Sequence, residues 1–247
     1  MIDKINELKN YFQKSSYVVF FGGAGVSTES GIPDFRSTGG LFNARYKYPP
    51  EVILSYSFFK AQTSEFYRFY RDRMVYLDAK PNTAHTALAQ MEKQGKLKAV
   101  ITQNIDGLHH AAGSKNVIEL HGCMLRNFCM SCNKFYSLEF ILQTEDIPLC
   151  SCGGIIKPDV VLYEEGLDET AIMKAVNHIA DADMLIIGGT SLSVYPAAGM
   201  VNYYMGDKLV IINKSKTHVD RRADVTIHGS IGEVLTAVLA EGDVAYE

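Results

Sequence analysis

Three polar residues of this sequence have side chains that could take part in chemistry, by proton transfer or by hydrogen bonding to a reacting group, and each closely follows an apolar run. His121 comes after the run at 117–120, and Asn104 and Asp106 come after the run at 99–102. A histidine can exchange a proton near neutral pH, because its unperturbed pKa is about 6.5. Taken singly, His121 could be structural, and Asn104 and Asp106 could form an Asx turn. Their joint occurrence favours a functional site.

A glycine loop follows the apolar run at 17–21 and is typical of phosphate binding. Gly23-Ala24-Gly25 begins the dinucleotide pattern G-x-G-x-x-G, but Thr28 stands where the third glycine belongs. No Lys-Ser or Lys-Thr pair follows the glycines, which excludes a P-loop. The loop could still be only a tight turn between a strand and a helix. The following Pro33-Asp34-Phe35-Arg36 has no use in a plain dehydrogenase loop.

Two later apolar runs are also followed by polar residues. Gly189, Thr190 and Ser191 come after the run at 184–187, and Asn213 comes after the run at 209–212. In α/β sheets the ligand lies beyond the carboxyl ends of the strands. We therefore expect these residues at one edge of a sheet, although glycine, serine and threonine also cap helices for structural reasons. No acidic residue stands where a dinucleotide-binding fold usually holds the ribose.

Four of the five cysteines fall in two tight pairs, Cys129-x-x-Cys132 and Cys150-x-Cys152. Such pairs on turns can place four thiolates around one tetrahedral ion, as in structural zinc sites. A redox pair and unliganded cysteines are the alternatives. Because four cysteine ligands leave no open position, we predict one structural Zn²⁺ per chain rather than a catalytic one. Cys123 lies outside the pairs and is expected to be a small buried residue.

The composition indicates an ordinary globular protein, with 47% hydrophobic and 21% charged residues. The net charge of −4 gives no electrostatic footprint for nucleic acid. The pattern at 2–12 predicts an amphipathic helix and lacks the features of a secretory signal. No apolar run approaches the about 18 residues that a membrane span requires. We expect a cytoplasmic protein, in agreement with cysteine pairs suited to a reducing compartment.

Short buried strands and amphipathic helices must position these residues. Strands are predicted at 17–21, 99–102, 117–120, 184–187, 209–212 and 225–227, and helices at 83–93, 169–180 and 231–240. The alternation predicts an α/β fold, a mostly parallel sheet with helices on both faces. The segments 37–81 and 122–157 break the alternation. We expect them to form a smaller lobe, with a cleft between the lobes.

Five motifs occur in the order GAGVSTESGIPDFRS, TQNIDGLHHAAGS, ELHG, CxxC…CxC and GTSLSVYPAAG. With them the sequence closely resembles the sirtuins, NAD-dependent protein-lysine deacylases, from about residue 15 to 240, and it looks like a bacterial or archaeal-type member. The resemblance implies a Rossmann-like NAD-binding domain at 1–36, 82–121 and 158–247. It also implies a helical insertion with the cofactor loop at 37–81 and a zinc-binding module at 122–157.

The resemblance further implies which residues bind NAD, the co-substrate. The glycine loop would lie against the pyrophosphate, Phe35 would cover the nicotinamide ribose, and Arg36 would pair with phosphate or order the loop. The residues that would contact NAD are Gly23, Ala24, Gly25, Thr28, Asp34, Phe35, Arg36, Gln103, Asn104, Ile105, Asp106, Gly189, Thr190, Ser191 and Asn213.

The reaction that the resemblance implies is transfer of the acyl group of acyl-lysine to ADP-ribose. For an acetyl group, this gives nicotinamide, 2′-O-acetyl-ADP-ribose and free lysine. His121 would be the general base for the ribose hydroxyls, and Asn104 and Asp106 would be the other catalytic residues. Two other functions compete: an enzyme of the same fold that mainly transfers ADP-ribose, and a non-catalytic binding module with a zinc site.

The substrate peptide would pair with the stretch that contains Val161, Leu162 and Tyr163, as implied by the same resemblance. The family usually has Phe-Gly-Glu where this sequence reads Tyr163-Glu164-Glu165, and the added acid would fit a basic peptide or be a solvated surface group. Sirtuins specialised for succinyl or malonyl groups have a Tyr followed three positions later by an Arg, whereas here Tyr70 follows Tyr67 by three positions. The resemblance therefore implies acetyl or longer apolar acyl groups rather than acidic ones. We expect acetyl-lysine peptides or proteins as partners, neither nucleic acid nor membrane, and a monomer.

Overall fold

The computed structural model describes residues 1–35, 40 and 46–242. The strands are β1 (Val18–Gly22), β2 (Leu97–Thr102), β3 (Val117–Glu119), β4 (Gly122–Cys129), β5 (Phe135–Ser137), β6 (Ile156–Val160), β7 (Met184–Gly188), β8 (Leu209–Asn213) and β9 (Val225–His228). The α-helices are α1 (Ile2–Lys14), α2 (Pro50–Ile53), α3 (Tyr56–Ala61), α4 (Thr63–Phe69), α5 (Thr83–Lys93), α6 (Leu108–Ala111), α7 (Leu138–Gln143), α8 (Glu169–Asp181) and α9 (Ile231–Leu239). Short 3₁₀ segments lie at Ala24–Val26, Thr28–Ser30, Ala197–Tyr203 and Asp220–Arg222, and a π-helical turn lies at Tyr70–Met74.

A six-stranded sheet forms the larger lobe, in the order β3-β2-β1-β7-β8-β9 with every neighbouring pair parallel. The central strands β1, β7 and β8 are buried along their whole length. A parallel sheet covered on both faces needs such continuous apolar strands. The strand order reverses direction between β1 and β7, and this arrangement opens a crevice at the carboxyl ends of the two strands.

The two faces of the sheet carry separate hydrophobic cores, because successive strand side chains point to opposite faces. Val18 and Phe20 of β1 belong to the core that includes residues of α1, α5 and α9. Val19 and Phe21 belong to the core that includes residues of α8 and the 3₁₀ segment Ala197–Tyr203. The predicted α/β sheet with helices on both faces is confirmed.

The smaller lobe has a third core of its own. An antiparallel sheet in the order β5-β4-β6 packs against α2, α3 and α4, and the buried residues Phe59, Tyr67, Cys129 and Ile156 lie in this core. Within the described residues 46–81 the chain contains helices and no strand. The predicted limits of the insertions at 37–81 and 122–157 stay predictions.

Side-chain caps fix where three predicted helices begin. Asn82 accepts hydrogen bonds from Ala84 N and His85 N at the start of α5, and Asp168 and Ser230 cap α8 and α9. In the part of the chain described, no helix combines the length and apolar character needed to cross a membrane.

Candidate active site

A cavity of about 820 Å³ opens at the carboxyl ends of β1, β2, β7 and β8. Its opposite wall includes Leu54 and Met124 of the smaller lobe and the stretch at 160–165. The predicted site residues that line it are Ala24, Gly25, Thr28, Asp34, Phe35, Gln103, Asn104, Ile105, Asp106, His121, Val161, Leu162, Tyr163, Gly189, Thr190, Ser191 and Asn213. Gly23 precedes the lining residues, and Arg36 falls outside the described residues. The structure thus brings the predicted residues together, while their roles stay predictions.

The glycines after β1 allow two loops to touch. Gly25 N donates to Gly189 O at 2.8 Å, and a Cβ on Gly25 would lie 2.8 Å from Gly189 Cα. A Cβ on Gly23 would lie 2.9 Å from Thr190 Cβ. Thr28, in place of the third glycine, donates from Oγ1 to Gly25 O at 3.0 Å. The glycine loop therefore needs its small residues for contact with the loop after β7.

Thr190 and Asn213 hold the loops after β7 and β8 together. Thr190 N donates to Asn213 Oδ1 at 3.1 Å, and Asn213 Nδ2 donates to Thr190 O at 2.9 Å. Gln103 Nε2 donates to Thr190 Oγ1 at 3.0 Å, which joins the loop after β2 to the same group. The amide of Asn213 is buried and committed to Thr190, so this residue shapes the cavity through the loop that it holds.

A serine that the sequence interpretation missed lies at the centre of the polar network. Ser27 Oγ donates to Asp106 Oδ2 at 2.6 Å and accepts from Asn104 Nδ2 at 3.0 Å. The second carboxylate oxygen of Asp106 accepts from Leu108 N at 2.9 Å, in an Asx-type turn. The position of Ser27 just after the glycine loop was a signal that could have identified this residue.

Two buried histidines lie behind this network and were also missed. His85 Nε2 is 3.5 Å from Ser27 Oγ, and the His85 and His109 rings contact each other with centroids 4.7 Å apart. Neither ring nitrogen of His109 has a hydrogen-bond partner among the described residues. Burial lowers the pKa of both residues, that of His109 to about 3 with the added effect of its histidine neighbours. Both rings are therefore neutral at neutral pH.

His121 is the one histidine among the described residues that line the cavity. Its Nδ1 lies 2.9 Å from Gln103 O, and a carbonyl can only accept, so Nδ1 carries the proton in the neutral ring. Nε2 therefore has the free lone pair of a base. Burial lowers the pKa of His121, and the hydrogen bond to Gln103 opposes this shift in part. The neutral form, which can accept a proton, thus dominates at neutral pH.

The stretch after β6 is attached to both lobes. Val161 N donates to His121 O at 3.0 Å. Tyr163 pairs with the chain just before α3, because its N donates to Leu54 O and its O accepts from Tyr56 N, both at 3.0 Å. These backbone contacts place the predicted peptide-binding stretch beside the predicted general base.

The four paired cysteines converge on one point in the smaller lobe. Their sulfur atoms all lie within 4.8 Å of one another, and Cys129 and Cys152 are 3.5 Å apart. A tetrahedral zinc site with Zn–S bonds of about 2.3 Å has sulfur atoms about 3.8 Å apart, so the geometry fits this ion. Cys123 is buried apart from them, as expected.

Polar groups around Cys129 and Cys150 favour in these two residues the thiolate state that a zinc site needs. Tyr136 donates from its hydroxyl to Cys150 Sγ at 3.0 Å, and Ser131 N donates to Cys129 Sγ at 3.4 Å. Backbone N–H donation from Cys152, followed by the Tyr136 hydroxyl, lowers the pKa of Cys150 to about 5. The donor set therefore fits a structural zinc ion with four ligands.

A model of the Sir2 family matches residues 23–196 of this chain. The chain is 59% identical over 243 residues to an NAD-dependent protein deacetylase of Clostridium acetobutylicum, a match that covers 97% of this chain and 99% of the relative. A solved structure of Sir2 with p53 peptide and NAD⁺ is 39% identical, with a TM-score of 0.84 and coverage of 94% of this chain and 96% of that chain.

A second Sir2 structure, with an inhibitor, 2′-O-acetyl-ADP-ribose and deacetylated p53 peptide, is 38% identical, with a TM-score of 0.83 and coverage of 94% and 96%. The match to the family model includes the glycine loop, the loop after β2, His121 and the cysteine cluster. The resemblance found in the sequence is confirmed, and the chain belongs to the Sir2 family.

Proposed function

We propose that this protein is an NAD-dependent protein-lysine deacetylase, which transfers the acetyl group of acetyl-lysine to ADP-ribose and gives nicotinamide, 2′-O-acetyl-ADP-ribose and free lysine. The observation that carries the proposal is the state of His121. Its Nδ1 is committed to the Gln103 carbonyl, which leaves Nε2 as a base in the cavity. The deacetylase name of the Clostridium relative and the ligands of the two Sir2 structures support it.

The cavity fits NAD in size and chemistry. Its volume of about 820 Å³ lies in the range of small-molecule sites. Gly25 and Gly189 present a bare backbone at the ends of β1 and β7, where α/β folds hold dinucleotides. When bound, NAD supplies a sugar carbon that can accept the acetyl oxygen and a nicotinamide group that can leave.

The residues of this chain would remove a proton, orient the bound ribose and exclude bulk water. His121 Nε2 would take a proton from a ribose hydroxyl. Asn104 and Asp106, fixed through Ser27, would orient the ribose and an ordered water. Asp34, Phe35 and Ile105 would cover the reacting centre and exclude bulk water, which strengthens the polar interactions there. Thr190 and Ser191 would lie at the adenosine end of NAD, and Asn213 would hold their loop in place there.

The smaller lobe supports an acetyl or longer apolar acyl group over an acidic one. The Tyr67 hydroxyl donates to Ile156 O within the third core. Arg71 donates from Nε to Ile141 O at 3.1 Å and from Nη2 to Asp146 O at 2.5 Å. These groups, which could have bound a carboxylate, are committed to the lobe itself. Around the acyl-lysine the wall offers apolar side chains such as Leu54, Met124 and Leu162.

The zinc ion would hold the smaller lobe in shape. Cys129, Cys132, Cys150 and Cys152 would fill its four positions and leave none open for chemistry. The same cysteine set suits a cytoplasmic location, where thiols stay reduced. The proposal includes a monomer that acts on acetylated proteins. It includes no binding of nucleic acid, which the net charge of −4 supports.

The test is to incubate the protein with NAD and an acetylated peptide and to measure nicotinamide and O-acetyl-ADP-ribose. A deacetylase produces them in equal amounts, and His121→Ala should lose both. A succinylated peptide of the same sequence should react at least about 10-fold more slowly, because a desolvated carboxylate finds no partner. Label from NAD transferred to the protein substrate would instead identify an ADP-ribosyltransferase. No NAD turnover with any acyl peptide would reject both activities.

A further inference from the structure

Glu164 has a backbone conformation that is unusual for its residue type. It lies in the wall of the cavity with a φ of 76°, in the left-handed region. A residue with a Cβ adopts this region at a steric cost, and glycine is the usual occupant. A glutamate at such a position needs interactions that hold it there.

Ser57 supplies those interactions. Ser57 N donates to Glu164 Oε2 at 2.9 Å, and Ser57 Oγ donates to Glu164 Oε1 at 2.9 Å. Both carboxylate oxygens are thus bound by one residue of α3, and the adjacent Tyr163 is bound through its backbone to Leu54 and Tyr56. The carboxylate is therefore held at a fixed place on the rim of the cavity while it stays exposed to solvent.

The charge of Glu164 is not neutralised by the residues around it. The neighbouring Glu165 forms an ion pair with Lys157 at 2.9 Å and also accepts from Leu162 N. Glu164 has no ion pair with any lysine, arginine or histidine of residues 1–35, 40 and 46–242. The two consecutive acids thus differ: Glu165 is paired within the protein, and Glu164 lies on the rim of the cavity without an ion pair to a described residue.

We propose that Glu164 is a specificity-determining residue, which selects acyl-lysine peptides that carry a lysine or arginine close to the acyl-lysine. This inference rests on the proposed function, in which the substrate peptide pairs with the stretch that begins at Val161. Glu164 lies three residues beyond Val161, which is at most about 10 Å, because the chain turns at Glu164 and is not fully extended there. A cationic side chain within about three residues of the acyl-lysine can span that distance.

The fixed position of the carboxylate increases its effect on selection. A flexible surface acid gains little from an ion pair, because both side chains must be ordered. Ser57 has already ordered Glu164, so an incoming arginine loses less freedom and gains charge-assisted hydrogen bonds. A peptide carboxylate at the same place is repelled. Salt should weaken both effects, since the site is open to solvent.

The experiment uses acetyl-lysine peptides that differ in one residue, arginine, alanine or glutamate, placed in turn at each of the three positions on either side of the acetyl-lysine. For wild-type protein, kcat/KM should favour arginine over glutamate about 10-fold at one or more positions, mainly through KM, and less at high salt. Glu164→Gln should bring this ratio close to one, and Glu164→Lys should invert it. Glu145→Gln removes one exposed acid that does not line the cavity, and it should keep the wild-type ratio.

A wild-type protein that treats all these peptides alike would overturn the inference, as would a ratio that persists in Glu164→Gln. Ser57→Ala offers a second variant that keeps the charge and removes one of the two hydrogen bonds that hold the carboxylate, and it should reduce the ratio without inverting it. If no peptide is turned over by wild-type protein, the proposed function fails. The Kd values of the same peptides, measured by fluorescence anisotropy, then decide the inference on Glu164 independently.

Discussion

Ser27 and Asp106 are joined by a hydrogen bond of 2.6 Å, although one follows β1 and the other follows β2. The serine hydroxyl also accepts from Asn104, so one atom links the glycine loop to both predicted catalytic partners of His121. The loop that would hold NAD is therefore connected, through the Ser27 hydroxyl, to the residues that would orient its ribose.

Replacing Ser27 by alanine should lower kcat/KM by about 10- to 100-fold. The change leaves the Asp106 carboxylate and the Asn104 amide without their shared partner, and hydrogen bonds to charged groups contribute about 1.5–3 kcal/mol. Steady-state kinetics with NAD and an acetylated peptide provide the measurement. Ser64→Ala is the matched control, because Ser64 Oγ donates to Asp146 Oδ1 at 2.5 Å on the exposed smaller lobe. Equal losses in the two variants would contradict the role given to Ser27.

The pH dependence of kcat/KM should report His121 as a base. Burial lowers the pKa of His121 from 6.5, so the neutral ring is fully present at pH 7.5. The rate should then fall with decreasing pH through a single group with an apparent pKa below 6.5. The residual rate of His121→Ala should not show this group. A wild-type acid limb centred well above pH 7 would contradict the assignment.

Folding stability should decrease in mild acid partly because of His109. Its pKa is lowered to about 3 in the folded protein by burial and by its histidine neighbours, while the unfolded chain titrates near 6.5. Between these values the unfolded state binds the extra proton, so the free energy of unfolding falls as pH drops through this window. His109→Phe removes the titration without breaking a hydrogen bond to a described residue.

Urea unfolding at two pH values measures this effect. At pH 8 the His109→Phe variant should lie within about 1 kcal/mol of wild type, since a ring replaces a ring. At pH 5 it should gain about 2 kcal/mol relative to wild type, from 1.36 kcal/mol per pKa unit. A difference between the two proteins that does not change with pH would mean that His109 is protonated alike in both states.

The Tyr136 hydroxyl should slow the loss of zinc. Purified protein should contain one zinc per chain, and Tyr136→Phe should weaken zinc retention about 10-fold or more, because donors to metal ligands typically contribute this much. Zinc release to a chromogenic chelator gives the readout without an activity assay. Tyr203→Phe, at an exposed tyrosine, should match wild type. A Tyr136→Phe variant that retains zinc equally well would show that its hydroxyl is dispensable.

The strands of the larger sheet could be predicted from the sequence, because buried parallel strands are continuous apolar runs. The helix expected at 83–93 has those limits in the structure, where Asn82 caps it. β1 and β7 each extend one residue beyond the predicted end, into Gly22 and Gly188. These glycines pair with each other, since the ladder needs only backbone groups.

The network around Ser27 could not be predicted with equal ease. His85 lies on a helix far along the chain, and nothing in its local pattern distinguishes it from any other helix residue. Its contact with Ser27 exists only when α5 packs against the sheet. The effect of Glu164 depends in the same way on Ser57, which precedes it by more than a hundred positions.

The central place of β1 has a consequence for synthesis of the chain. This first strand of the sequence is flanked by β2 on one side and by β7 on the other, and β7 ends at residue 188. While it emerges from the ribosome, the chain therefore carries an unpaired apolar strand edge until β7 has been made. Such non-local pairing slows folding and leaves nascent chains open to aggregation. We expect this protein to depend on chaperones during translation more than a helical protein of equal length.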